Sequence, residues 1–146
     1  MKTIYIKYFN TDMTPIDYIG AKSDWIDLRA ADDVALKRGE FKLIPLGVAM
    51  ELPKRYEAHI VPRSSTFKNY GVIQTNGVGI IDADYYNNAD NEGHIMLALL
   101  NMGQEKVVLP KGERVAQGIF YTYLTADGDE KIAKSVRGGG FGSTSK

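Results

Sequence analysis

A chain of 146 residues, 44% of them apolar, has the size of one domain and can bury a core of its own. Its 18 lysines and arginines balance 18 aspartates and glutamates, which argues against a protein held on nucleic acid by bulk positive charge. Cysteine is absent, which excludes disulfides, thiolate zinc sites and cysteine nucleophiles, and the two histidines, His59 and His94, lie too far apart in sequence to suggest a transition-metal centre.

The opening residues, Met1-Lys2-Thr3-Ile4-Tyr5-Ile6-Lys7, are too polar for a signal peptide, and no apolar run approaches the length of a membrane span. The expectation is a soluble cytoplasmic protein with no membrane and no nucleic-acid partner. Ile4, Ile6 and Tyr8 can share one face of a strand, with Lys7 on the other. The apolar run from Phe41 to Leu52 is interrupted by Pro45, which predicts two short strands or a break. Ala58, Ile60 and Pro62 alternate with His59 and Val61. Ser64-Ser65-Thr66 offers N-caps for a short helix through Phe67-Lys68-Asn69-Tyr70, with Gly71 to stop it. Asn76-Gly77 is the signature of a tight hairpin turn. The segment from His94 to Asn101 reads as a buried strand or a helix: its leucines and alanine favour helix, its surroundings strand. Leu109-Pro110-Lys111-Gly112 has proline and glycine placed for a type I turn, and β-type residues resume from Val115 to Tyr123. Short strands at regular spacing with turn punctuation predict an all-β sandwich or barrel. The last residues, Gly138-Gly139-Gly140-Phe141-Gly142-Ser143-Thr144-Ser145-Lys146, are too rich in glycine to hold a fold alone, so they predict a tail that is mobile until something orders it.

The chemistry concentrates in Gly79-Ile80-Ile81-Asp82-Ala83-Asp84-Tyr85. An apolar run delivers two carboxylates and a ring next to a turn whose backbone groups can read the edge of a base. Asp82 and Asp84, two apart, would point the same way on a strand. Taken singly, these residues also have ordinary readings: a solvated strand end for the aspartates, a core aromatic for Tyr85, a turn residue for Asn76, plain helix capping for Ser64 and Ser65, and a flexible linker for the tail. Arg63-Ser64-Ser65 opens the predicted helix, where exposed N–H groups suit a phosphate. Arg114 and Gln117 would lie on one hairpin, as a surface ion pair and a polar strand end or as ligand contacts.

Five clusters, Asp24-Trp25-Ile26-Asp27-Leu28, Pro62-Arg63-Ser64-Ser65, Asn76 to Tyr85, Gly112-Glu113-Arg114-Val115-Ala116-Gln117, and Arg137-Gly138-Gly139-Gly140-Phe141-Gly142-Ser143-Thr144, stand in an order that resembles the motifs of the trimeric dUTPases. The resemblance spans about Ser23 to Thr144. It implies an all-β, jelly-roll-like distorted barrel with one short helix, a homotrimer with shared active sites, and hydrolysis of dUTP to dUMP and pyrophosphate. Residues 1–136 would form the β domain and 137–146 a flexible lid. By resemblance, Asp82 accepts a proton from the attacking water, and Tyr85 lies under the deoxyribose and leaves no room for a 2′-hydroxyl. Asn76 and the backbone around Gly79 contact uracil. Arg63, Ser64 and Ser65 lie beside the triphosphate, Gln117 contacts it, and Arg114 supports the assembled site. Phe141 stacks on the base, Arg137 pairs with the terminal phosphates, and Ser143 and Thr144 bond the γ-phosphate. Asp27 would hold waters of a Mg2+ ion rather than the metal, in keeping with an ion that gives up its water shell reluctantly. A dCTP deaminase of the same fold and a nucleotide-switched trimeric regulator are the alternatives. The polar segment Tyr86 to Gly93 departs from the family pattern, in which a glycine follows soon after the tyrosine.

Overall fold

Residues whose apolar side chains alternate or run unbroken form eleven strands in the computed structural model, which describes residues 3–16, 24–131 and 138–140. In chain order they are β1 (Tyr5–Tyr8), β2 (Ile26–Arg29), β3 (Val34–Leu36), β4 (Phe41–Pro45), β5 (Val48–Glu51), β6 (Tyr56–Pro62), β7 (Val72–Gln74), β8 (Gly79–Asp82), β9 (Met96–Asn101), β10 (Val107–Leu109) and β11 (Arg114–Thr122). One short helix, α1 (Thr66–Tyr70), follows β6. The strands make a four-stranded sheet ordered β2-β11-β6-β8, a three-stranded sheet β4-β9-β7, and the two-stranded ribbons β1-β5 and β3-β10. All the pairings are antiparallel, and the ladders do not close into one barrel.

A single apolar core draws on all four sheets, with Leu28, Leu36, Ile44, Met50, Ile60, Leu97, Leu99 and Leu109 fully enclosed. The break expected in the Phe41–Leu52 run falls at Pro45 and Gly47, where a φ of +72° suits glycine. The ambiguous segment before Asn101 is a strand: β9 is central in its sheet and buries Leu97, Ala98 and Leu99 in succession. That is the run of a strand covered on both faces, and pairing on both edges overrides helix propensity. Among the described residues, no helix is long and apolar enough to cross a membrane.

Of two expected turns, one forms at Asn76-Gly77 and the other one residue later than expected, and neither closes a hairpin. Gly77 adopts a φ of +70°, and the Val78 N–H reaches the Asn76 carbonyl at 2.8 Å, but β7 pairs with β9 while β8 pairs with β6. The turn therefore passes the chain from one sheet to another. The turn after β10 runs from Pro110 to Glu113, closed by the Glu113 N–H on the Pro110 carbonyl at 3.0 Å. Gly112 occupies its third position with a φ of +84°, which is type II rather than type I geometry. It too joins different sheets, so Arg114 and Gln117 share a strand, β11, and not a hairpin.

His94 stands before β9 with its ring stacked on Phe9, centroids 4.3 Å apart, and its Nε2 accepts the Gly47 N–H at 2.9 Å. Burial pushes its pKa below the ordinary 6.5, against a smaller opposing pull from the Asp32 carboxylate. Because the folded chain resists protonation more than the unfolded chain does, this contribution is complete above the unfolded value and is lost as pH falls toward the folded one. The thermal midpoint is expected to decline from about pH 6.5 downward, and the decline to be shallower in His94→Gln, when the two proteins are melted across the same buffer series.

Candidate active site

Two groups of the sequence-predicted residues come together, at different places on the four-stranded sheet. The first surrounds Asp27 on β2. Its carboxylate is only 4% exposed as a residue and stands between two guanidiniums, with Arg63 Nε 3.4 Å from Oδ1 and Arg114 Nη1 donating to Oδ2 at 3.3 Å. Strand register sets this up, because Gln117 on β11 faces Asp27 on one side and Val61 on the other, just before Arg63. A register shift between Arg114 and Ala116 lets Arg114 reach the same carboxylate. Gln117 Nε2 points to the Pro62 carbonyl at 3.5 Å.

Ser64 is exposed and Ser65 half-buried at the start of α1. Ser65 occupies the N-cap position without a side-chain capping bond, and Gly71 closes the other end at a φ of +64° with its N–H on the Phe67 carbonyl. The local lock comes instead from Thr66, whose hydroxyl accepts the Arg63 N–H at 3.1 Å and donates to the Val115 carbonyl at 3.3 Å. At five residues, the helix has its opposite ends only about 7.5 Å apart, so their partial charges largely offset each other. The positive charge at this place therefore comes from Arg63 and Arg114 rather than from a helix dipole.

The second group surrounds a cavity of about 190 Å3 lined by Asn76, Gly79, Ile80, Ile81, Tyr85, Met96 and Gly140. Tyr85 forms its wall and is 4% exposed. Its hydroxyl donates to the His94 carbonyl at 2.8 Å and accepts from Asn91 Nδ2 at 2.8 Å, so the ring is braced at its far end. The 86–93 loop supplies that brace. Buried Asn88 donates to the Tyr85 carbonyl and to Asn91 Oδ1, both at 2.8 Å, and takes the Asp90 and Asn91 N–H groups on its Oδ1. Gly93 ends the loop where a Cβ would fall 2.8 Å from the Tyr86 Cα, so glycine is required there.

Asp82 ends β8 and starts a single 3-10 turn, Ala83–Tyr85, between the cavity residues Ile81 and Tyr85. This turn corrects the expectation that Asp82 and Asp84 share a strand face: the strand stops at Asp82, which is half-buried, while Asp84 is exposed on the turn. Of the tail, Gly138 accepts the Asp90 N–H at 3.1 Å, Gly139 is buried against Asp90, and Gly140 lies so close to the Tyr85 ring that a Cβ would be 2.9 Å from it. Arg137, Phe141, Ser143 and Thr144 lie outside the described residues.

The two groups do not meet within one chain. Asp82 faces Glu57 near the start of β6, whereas Arg63 follows the last residue of that strand, Pro62. Six residues of extended chain separate the two rows, about 20 Å. Asp27 is three strands across from β8, about 14 Å, and is displaced along the sheet in the same direction as Arg63.

Sequence reasoning did not find Gln74, Asn88, Asn91 or Met96. Gln74 had a usable signal, a polar residue two positions from Val72 on the inward face of a short apolar strand.

The dUTPase family model matches residues 21–145. The chain is 48% identical over 118 residues to the deoxyuridine 5′-triphosphate nucleotidohydrolase of Lactococcus lactis, covering 81% of this chain and 79% of that protein. It is 47% identical over 143 residues to the SPbeta prophage-derived deoxyuridine 5′-triphosphate nucleotidohydrolase YosS of Bacillus subtilis, covering 97% and 96%. The crystal structure of dUTPase from Streptococcus mutans superposes with a TM-score of 0.79 at 36% identity, over 84% of this chain and 98% of that one.

Proposed function

Because the chain belongs to the dUTPase family, we propose that it hydrolyses dUTP to dUMP and pyrophosphate in sites shared between the subunits of a homotrimer. The observation that carries this reading is the gathering of Asn76, Gly79 and Tyr85 around one cavity with Asp82 at its margin.

In this reading uracil enters the cavity beside the Asn76 turn, and the deoxyribose rests on Tyr85. Bracing by Asn91 and the His94 carbonyl keeps the ring from yielding, so a 2′-hydroxyl is excluded by contact. Asp82 orients a water and takes its proton as the water oxygen bonds to the α-phosphorus. The bond from that phosphorus to the bridging oxygen breaks, and pyrophosphate leaves with the electron pair. Arg63, Ser64, Ser65 and Gln117 receive the phosphates, Arg114 holds Asp27, and the two arginines provide fixed positive charge where negative charge builds. The separation of about 20 Å between Asp82 and Arg63 along the sheet supports a site completed by a second chain. The tail, residues 137–146, would close over the β domain, residues 1–136. Phe141 would then lie on the base, and Arg137, Ser143 and Thr144 on the terminal phosphates.

Magnesium suits the residues present. Among the described residues, no group of three acidic or histidine side chains could cage a metal, while Asp27 Oδ1 is buried without a hydrogen-bond partner. A carboxylate oxygen that has the Arg63 guanidinium 3.4 Å away but accepts no hydrogen bond suits an ion held mainly by phosphates and keeping its water, with Asp27 as its outer contact. When bound, the ion neutralises phosphate charge.

Incubation with magnesium and either dUTP or dCTP tests the reading. dUMP and pyrophosphate are expected from dUTP, with no ammonia from dCTP. Ammonia from dCTP with dUTP left intact would replace hydrolysis by deamination, and dUTP binding without turnover would make the chain a nucleotide-sensing protein.

A further inference from the structure

Gln74 lies on the inward face of β7, 8% exposed, beneath the turn that carries Asn76. Its Nε2 donates to the Ile60 carbonyl at 3.0 Å and to Asn76 Oδ1 at 3.1 Å. These two bonds orient two amides in series. A main-chain carbonyl only accepts, so the amino end of Gln74 must face Ile60. The second hydrogen of that amino group needs an acceptor, so the carbonyl end of Asn76 must face Gln74. The amino end of Asn76, a residue that lines the cavity, is thereby turned away from Gln74. Reversing Gln74 would press two oxygens together, and reversing Asn76 would press two amino groups together. Gln74 Oε1 is buried without a hydrogen-bond partner among the described residues, so the donor end alone holds this orientation.

We propose that Gln74 is a specificity-determining positioning residue. It holds the Asn76 amide with its donor toward the nucleobase, so that the cavity takes a carbonyl at the pyrimidine 4-position and opposes an amino group there. The inference rests on the reading of this cavity as the uracil pocket. Uracil presents an acceptor at position 4 and cytosine a donor. A freely turning asparagine would satisfy either base by reversing its amide, whereas one held from behind cannot. Selection of the base thus begins at a buried side chain that touches no ligand.

The test is the ratio of kcat/KM for dUTP to that for dCTP, both measured as hydrolysis to the monophosphate with magnesium. Gln74→Met keeps the volume and removes both donated bonds. The ratio is expected to fall at least about tenfold, chiefly through better use of dCTP, while the thermal midpoint records any loss of fold. In an Asn76→Ala background, adding Gln74→Met is expected to leave the ratio unmoved, since Gln74 acts through Asn76. Gln74→Ala, whose vacated space admits water, gives the same comparison should the methionine variant not fold. Equal losses on both nucleotides with an unchanged ratio would reduce Gln74 to a support of the turn and overturn the proposal. A wild-type protein that hydrolyses no dUTP would remove the uracil pocket and this inference with it. Wild-type turnover with an unmoved ratio would remove only the role of Gln74.

Discussion

Asp82→Asn is expected to lower kcat for dUTP by about 10^3-fold, the scale of a lost general base, with KM changed by less than about threefold. The amide has the same shape and can still hold a water, but it cannot take the proton as the new oxygen–phosphorus bond forms. Asp82 makes no side-chain capping bond to the 3-10 turn it begins, so the substitution removes no cap from that turn. The thermal midpoint should therefore stay near the wild-type value. Steady-state proton release with dUTP and magnesium measures the loss directly. Turnover near the wild-type rate would take the general base away from Asp82 and leave the chemistry without an assigned proton acceptor.

Deleting residues 137–146 is expected to cost turnover by about 10^2-fold or more while shifting the thermal midpoint by no more than about 2 °C. The asymmetry follows from where the described part of the tail sits. Gly138 and Gly139 touch Asp90 on the surface loop, and Gly140 touches the edge of Tyr85. None of the three belongs to the apolar core, so removing them opens no space inside it. Gly140 lines the cavity proposed to take the nucleotide, where a closed tail would exclude water and complete the site. Single-turnover rates and a melting curve on the same preparation separate the two effects. A large fall in melting temperature with activity preserved would make the tail a structural strap.

Local chemistry and long-range pairing were legible to different degrees. Gly77 adopts the positive φ that its turn demands, and Gly71 ends the helix in the way its position predicts, whereas the turn at Gly112 falls one residue later than expected and is type II rather than type I. Which strands those turns connect was not local information. Val72 to Gln74 pair with β9, while Gly79 to Asp82 pair with β6, so the Asn76-Gly77 turn bridges sheets where a hairpin was expected. Register over distant segments decides this, and a dipeptide cannot carry it. The site shows the same division. The motifs were readable one cluster at a time, but the separation of their residues into an arginine–carboxylate group and a cavity group follows only from the order β2-β11-β6-β8. Asn88 and Asn91 were hidden for another reason. A polar loop reads as solvent-facing, yet these amides turn inward to satisfy the backbone around Tyr85.

The central claim is that water attacks the α-phosphorus of dUTP, and hydrolysis in 18O-labelled water tests it most directly. The account predicts one labelled oxygen in dUMP and none in pyrophosphate after a single turnover by excess enzyme. Label appearing in pyrophosphate, or dUDP and phosphate as the products, would place the attack at another phosphorus and contradict the roles assigned to Asp82 and to the two arginines.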